Sequence, residues 1–216
     1  SSANLSEEIS TVCCGWTNRG VAIGEDRVFV GQLDGVLKAI DKESGSTIWA
    51  TQAEDWREGY TITSAPLYFE GLVITGFAGA EFAARGRVKA FDASDGSLVW
   101  TFFTVPGPGE FGHDTWPADN NSWQTGGGTV WHTPAVDPGL GLLYFSTGNP
   151  GPDYNGAIRP GDNLFTASIV AIDAYTGRYR WHFQQVHHDI WDYDAPNPVV
   201  LFDLDYGGVE RKGLAQ

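Results

Sequence analysis

The sequence contains no methionine, only two cysteines, and 13 lysine and arginine residues against 27 aspartates and glutamates. Each scarcity excludes something. A formal net charge of −14 disfavours nucleic acid and anionic membrane surfaces as partners, while leaving room for a basic protein. No apolar run approaches the roughly 20 residues of a membrane helix, so no membrane span is expected. The chain opens on Ser1-Ser2 and shows neither an initiator methionine nor a leader pattern, and is expected to be a processed piece or a fragment of a longer protein.

The two cysteines are adjacent, Cys13-Cys14, which is an odd use of sulfur. Neighbouring Cα atoms sit about 3.8 Å apart, short of the usual disulfide window of about 4.4–6.8 Å, so a bridge between them closes a strained ring. Such a ring closes almost no loop and adds little to fold stability. Taken alone, the pair reads either as two free buried thiols or as a bridge with a purpose other than stapling the fold. If it is oxidised, the compartment is extracytoplasmic.

What the chain has in quantity is glycine (28), proline (11) and tryptophan (9), a composition of turns and strands. A repeat organises it. Ala39-Ile-Asp41-Lys-Glu-Ser-Gly45-Ser-Thr-Ile-Trp49, Ala90-Phe-Asp92-Ala-Ser-Asp-Gly96-Ser-Leu-Val-Trp100 and Ala171-Ile-Asp173-Ala-Tyr-Thr-Gly177-Arg-Tyr-Arg-Trp181 all read Ala-x-Asp-x3-Gly-x3-Trp. An apolar strand ends at the Asp, a turn closes at the Gly, and a second strand carries the Trp. Two further strands precede each hairpin; in the second copy they are Ser64 to Phe69 and Leu72 to Phe77. Four antiparallel strands recurring at about fifty residues read as propeller blades.

The fold class is therefore all-β, a β-propeller, with blades expected at about 19–51, 63–103 and 129–183. The third is lengthened by an insertion from Gly148 to Leu164, and residues 198–216 open a fourth blade with a strand at Pro198 to Asp203. Closed propellers have at least about four blades, so three and a part belong to a larger ring. The repeated Asp, Gly and Trp are assigned to turns and blade packing. Val105 to Gly128, with Trp116 and Trp123 inside it, is expected to be an ordered cap over one face.

Five separated motifs resemble the PQQ-dependent (quinoprotein) alcohol dehydrogenases, in order and approximate spacing. In Cys13-Cys14-x4-Arg19, the resemblance implies a bridged cysteine pair laid against pyrroloquinoline quinone (PQQ) and an arginine at its carboxylate edge. Thr63 matches a threonine that holds the cofactor. In Gly76-Phe-Ala-Gly79-Ala80-Glu81, Gly79 and Ala80 match backbone that approaches the quinone and Glu81 matches a metal ligand; Ala78 stands where relatives carry serine. Thr129 and Trp131, in Gly126-Gly-Gly-Thr129-Val-Trp131, match a cofactor-bonding threonine and the indole floor beneath the planar rings. Asn149, in Ser146-Thr-Gly148-Asn149-Pro150, matches a metal-ligating asparagine.

The fifth motif, His187-His188-Asp189-Ile190-Trp191-Asp192-Tyr193-Asp194, contains Asp192, which matches the catalytic aspartate and a metal ligand. Its histidines lack the spacing of a helical zinc site and are expected to hydrogen-bond the loop that aims the aspartates. If the segment is extended, Asp192 and Asp194 point the same way and both serve the metal. Relatives that use lanthanides resemble this sequence in carrying aspartate at the position of Asp194, whereas calcium-type relatives have a small residue there. Three carboxylates balance a trivalent ion better than a divalent one, so the metal is read as a lanthanide with Ca2+ as the alternative. Asp153 stands where methanol-specific relatives have a tryptophan, which implies a wider or more polar pocket.

The resemblance implies oxidation of an alcohol to an aldehyde or ketone with PQQ and the metal, electron delivery to cytochrome c or a similar acceptor, a periplasmic location and a parent of about eight blades. Two alternatives remain. One is a sugar-oxidising, quinol-linked PQQ dehydrogenase with a similar His187-His188-Asp189 tail; the other is a non-catalytic propeller scaffold that shares the blade repeat.

Overall fold

The computed structural model describes residues 5–10 and 15–216. Cys13 and Cys14 lie outside them, and with them the expected bridge. The strands are β1 (Ala22–Gly24), β2 (Arg27–Gly31), β3 (Val36–Asp41), β4 (Thr47–Gln52), β5 (Leu67–Phe69), β6 (Leu72–Gly76), β7 (Arg87–Asp92), β8 (Leu98–Phe103), β9 (Ala135–Asp137), β10 (Leu142–Ser146), β11 (Ser168–Asp173), β12 (Tyr179–Gln184), β13 (Val200–Asp205) and β14 (Glu210–Ala215). Sheets β1-β2-β3-β4, β5-β6-β7-β8 and β9-β10-β11-β12 are three antiparallel blades, and β13-β14 is a hairpin beyond them. The all-β propeller architecture expected from the repeat is present.

The repeat does the same local work each time. Its Ala faces its Trp across the third and fourth strands, as Ala39 with Trp49, Ala90 with Trp100 and Ala171 with Trp181, and an irregularity follows the Ala in all three. The Asp side chain accepts from backbone N–H groups inside the turn, from Ser44, Ser94, Tyr175 and Thr176. The Gly N–H then returns to the Asp carbonyl at 2.9 Å in each copy, from a left-handed φ of 68–76° that favours glycine.

Blades join through the tryptophans. Trp49 Nε1 donates to Ala93 O of the second blade at 3.0 Å, and Trp100 Nε1 to Ala174 O of the third at 3.2 Å. Each indole also lies on the turn glycine of that next blade: a Cβ at Gly96 would stand 2.7 Å from Trp49, and one at Gly177 would stand 2.8 Å from Trp100. Apolar side chains of adjoining sheets fill the space between. Phe29, Leu37 and Trp49 pack with Val73 and Phe91, and Val88, Ala90 and Trp100 pack with Leu143, Val170 and Ile172. Trp181 meets no such turn among the described residues and is 39% exposed.

Some boundaries differ from expectation. The strand expected from Ser64 starts only at Leu67. Upstream of it, Thr61 bridges to Ala78, Thr63 O accepts from Arg19 N–H, and Pro66 has no N–H to give a ladder. The opening strand expected at Pro198 to Asp203 runs from Val200 to Asp205. The stretch between β8 and β9 is ordered, with short 3-10 turns at His113–Thr115 and Ser122–Thr125. Trp116 in it is 3% exposed and donates to Leu164 O, while Gly127 bridges Arg85 on one side and Pro150 on the other. The expected cap is thus a seam between blades two and three.

Because the indole of Trp100 is both a buried apolar mass and a hydrogen-bond donor across the blade boundary, Trp100→Ala is expected to cost about 3–5 kcal/mol. Equilibrium chemical denaturation measures this, and Gly177→Val, which drives a branched side chain into the same indole, should destabilise in the same direction.

Candidate active site

In an antiparallel blade the start of the first strand and the end of the second lie at the same end of the sheet. That places the segments before β1, β5, β9 and β13 beside the segments after β6 and β10. Every sequence-predicted site residue among the described ones sits in such a segment. Arg19, Thr63, Thr129, Trp131, Asp192 and Asp194 precede first strands; Gly79, Ala80, Glu81 and Asn149 follow second strands.

A cleft of about 160 Å³ is lined by Thr17, Arg19, Thr61, Thr63, Ala78, Gly79, Glu81, Trp131 and Asp194. Its walls are defined by backbone contacts. Arg19 N–H donates to Thr63 O at 3.0 Å, Nη1 lies 3.4 Å from the same oxygen, and the guanidinium carbon stands 5.1 Å from the Trp131 ring centroid. Gly79, at φ 130°, opens the 3-10 turn Ala80–Phe82 that carries Glu81, and a Cβ there would meet Gly59 O at 1.9 Å. Gly148 lies between two of these segments: a Cβ on it would stand 2.8 Å from Asp194 Oδ1 and 3.5 Å from Trp131 Nε1. Its N–H donates to the carbonyl of the buried Thr129 at 2.9 Å.

Whether these residues suit PQQ can be tested on their unspent polar capacity. Thr63 is 6% exposed, and its Oγ1 is buried with no hydrogen-bond partner. A buried hydroxyl left alone is costly, and here it is on the wall of the cleft, where a ligand oxygen would relieve it. Arg19 spends its guanidinium on one long contact, leaving donors for a carboxylate. With the Trp131 ring they fit a flat, acidic, aromatic group.

The residues expected to hold the metal offer oxygen donors, which suit a hard cation. Glu81 and Asp194 share the cleft wall, and Asn149 N–H donates to Asp194 Oδ1 at 2.7 Å. The Asn149 amide nitrogen donates to Asp153 Oδ1 at 2.5 Å and to Pro150 O at 3.3 Å. Asp192 is exposed and accepts from the Tyr154 hydroxyl at 3.3 Å. Among the described residues no three of His, Cys, Asp and Glu close into a ready cage.

One local expectation is corrected. The segment Asp192 to Asp194 is not extended: both aspartates have left-handed φ, 60° and 51°, so side-chain alternation does not align them. The histidines serve the loop by hydrogen bonding, and their partners lie in the β10–β11 insertion: His188 Nδ1 pairs with Gly161 O at 2.8 Å, and His187 lies 3.5 Å from Asp162. The fully buried Asp189 also shapes the loop, accepting from Trp191 N–H at 2.9 Å and Tyr193 N–H at 3.1 Å.

Arg159, in the same insertion, was not singled out by any sequence motif. It is 0% exposed, and its Nη2 donates to the carbonyls of Pro152, Asp153 and Asp189, while Nη1 donates to Asn163 Oδ1 at 2.9 Å. It ties the loop of Asn149 to the loop of Asp192. It is the only basic residue between Gly148 and Leu164, among glycines, prolines and acids, and that isolation was its signal.

Burial raises the Asp194 carboxyl to about 6; the Asn149 N–H opposes this, and the charges of Asp192, Glu81 and Asp189 add to it. Asp153 is raised for related reasons, burial first and then Asp192 and Glu81. A folded value above the unfolded one means that the native state holds the proton more tightly. Stability of the metal-free protein should therefore fall as pH rises from about 4 to about 6 through this group. Asp194→Asn should flatten that slope and raise stability at neutral pH by on the order of 1–2 kcal/mol, after allowance for solvent screening. Denaturation of metal-stripped protein at a series of pH values measures it.

Comparison with known proteins accords with this geometry. The PQQ family model described as "Glucose/ethanol/alcohol dehydrogenase, beta-propeller domain" matches residues 16–216. The chain is 44% identical over 218 residues to quinohemoprotein alcohol dehydrogenase ADH IIB of Pseudomonas putida, covering 95% of this chain and 31% of that protein. It is 36% identical over 222 residues to the lanthanide-dependent methanol dehydrogenase of Methylacidiphilum fumariolicum, covering 94% and 36%. The solved europium-containing methanol dehydrogenase superposes with a TM-score of 0.88 at 36% identity, over 95% of this chain and 38% of that one. The chain thus spans about a third of the length of the relatives it matches. On its blades and these relatives, the chain belongs to the PQQ-dependent alcohol dehydrogenase family, as part of the β-propeller domain.

Proposed function

We propose that the whole protein oxidises an alcohol to an aldehyde or ketone in the cleft described above, holding PQQ and a metal ion. The observation that carries this reading is the meeting of Arg19, Thr63 and Trp131 with Glu81 and Asp194 on one cleft wall. When bound, PQQ supplies a two-electron acceptor for the hydride, and the metal supplies a Lewis acid. This chain's residues bind, orient and handle the proton. Arg19 holds the acidic edge, Thr63 and Thr129 offer hydroxyls, and Gly79 and Ala80 bring backbone close. Trp131 closes off water from one face. Cys13 and Cys14, bridged, are assigned to the opposite face.

Asp192 is the base. Its carboxylate takes the hydroxyl proton as the hydride departs from the adjacent carbon. Glu81, Asn149, Asp192 and Asp194 are assigned to the metal. Glu81 and Asp192 alone balance a divalent ion; the third carboxylate, on Asp194, favours a trivalent lanthanide, with Ca2+ as the alternative. The relatives whose names specify lanthanide dependence or europium favour the same choice. Electrons then pass to a separate acceptor such as cytochrome c, and the compartment is periplasmic. Sugar oxidation is the second reading, since the matching family model covers glucose as well as alcohol dehydrogenases.

In the full-length protein loaded with PQQ and metal, Asp192→Asn should lower kcat for alcohol-dependent dye reduction by about 10²–10⁴. A panel of alcohols and sugars in the same assay decides between the two substrate classes, and turnover with sugars alone would overturn the first. Removing the metal by chelation should abolish turnover. Restoration by La3+ or Ce3+ in preference to Ca2+, reversed toward Ca2+ in Asp194→Ala, is the expected outcome; full restoration by Ca2+ with none by lanthanides would sink the trivalent assignment.

A further inference from the structure

We infer that Asp153 is a positioning residue for the metal site: its carboxylate fixes which way the Asn149 amide is turned, so that the amide oxygen is presented to the cation. The inference rests on the metal reading above and adds a residue to it.

The two partners of Asn149 Nδ2 are Asp153 Oδ1 at 2.5 Å and Pro150 O at 3.3 Å. Both can only accept when Asp153 is ionised, so the nitrogen side of the amide must face them. The orientation is therefore set by chemistry and not by the shape of the side chain, whose two ends are nearly the same size. With both N–H donors spent there, the oxygen is the end left for a cation. Asn149 is 2% exposed, so solvent does not offer the amide a competing set of partners.

Asp153 is itself held in place. The fully buried Arg159 donates from Nη2 to the Asp153 carbonyl at 3.0 Å and to Asp189 O at 2.6 Å, and from Nε to Pro152 O at 3.1 Å. A continuous chain thus runs from a buried guanidinium, through the Asp153 backbone and carboxylate, to the amide of Asn149. Without Asp153 only the longer contact to Pro150 O would hold the amide. Neither Asn149 nor Asp153 is among the residues that line the cleft, and the contact between them lies beside Asp194, whose Oδ1 accepts from Asn149 N–H.

Partners that orient a metal ligand in this way typically govern about 10–100-fold in metal affinity. The test uses metal-stripped full-length protein titrated with Tb3+, read by tryptophan-sensitised luminescence, with decay rates in H2O and D2O counting bound waters. Asp153→Ala removes the acceptor, and Asp153→Ser draws it back toward the backbone by one bond; either, if folded, should raise the Tb3+ Kd about tenfold or more and add a water to the bound ion. Asp153→Asn keeps an oxygen for Asn149 Nδ2 and should recover most of the loss. Glu81→Gln is the control for the site. If Glu81→Gln weakens Tb3+ binding while Asp153→Ala and Asp153→Ser leave Kd within about twofold and hydration unchanged, this inference alone is overturned. If wild type and Glu81→Gln bind Tb3+ alike, the metal reading falls and the inference with it.

Discussion

The docking of one blade's tryptophan onto the next blade's turn is the interaction on which the rest of this molecule depends. Trp49 reaches Ala93 and Gly96, and Trp100 reaches Ala174 and Gly177, each with one hydrogen bond and one face of apolar contact. This fixes how successive sheets are set against each other. The cleft takes residues from three different blades and from the segment before β13, so it exists only while that relative placement holds. A packing contact far from any chemistry thereby decides where Arg19, Glu81 and Trp131 meet.

A second constraint is electrostatic. Glu81, Asp153, Asp192 and Asp194 face a common region, and the most buried of their carboxyls are pushed upward by lost hydration and mutual repulsion. Folding alone gains nothing from that arrangement. It becomes favourable when a cation replaces the missing countercharge, which is the ordinary signature of a site that evolved for a ligand and not for stability. Arg159 sits behind the cluster as fixed positive charge. Its donors go to main-chain carbonyls and Asn163, so it braces the loops without neutralising the ligands directly.

Much of this was legible in the sequence. The three Ala-x-Asp-x3-Gly-x3-Trp copies specify hairpins because each residue type has a single local role. The Asp carboxylate binds turn N–H groups, the Gly takes a left-handed φ, and in the first two copies the Trp is buried against the next blade. The site residues Arg19, Thr63, Glu81, Trp131 and Asp194 were legible only through family resemblance, since nothing in local periodicity marks them. The orientation of Asp192 and Asp194 was not legible, because an alternation rule assumes extended backbone and both residues are left-handed. Nor were the partners of the histidine pair, Gly161 and Asp162, because they lie in the insertion and are brought near only by the fold.

The sequence by itself determined the closing hairpin of each blade, because the pairing of the repeat's Ala with its Trp spans only about ten residues along the chain. Its motifs also pointed to the residues proposed to hold the cofactor and the metal. Only the tertiary structure decided which of those donors share a wall, that Asp153 turns toward Asn149, and that Asp189 and Arg159 hold the loops around them. The physical reason is separation along the chain. Arg159 and Asp189, or Glu81 and Asp194, are joined through space across blade boundaries, and no local pattern of residue types encodes a distance that packing of whole sheets creates.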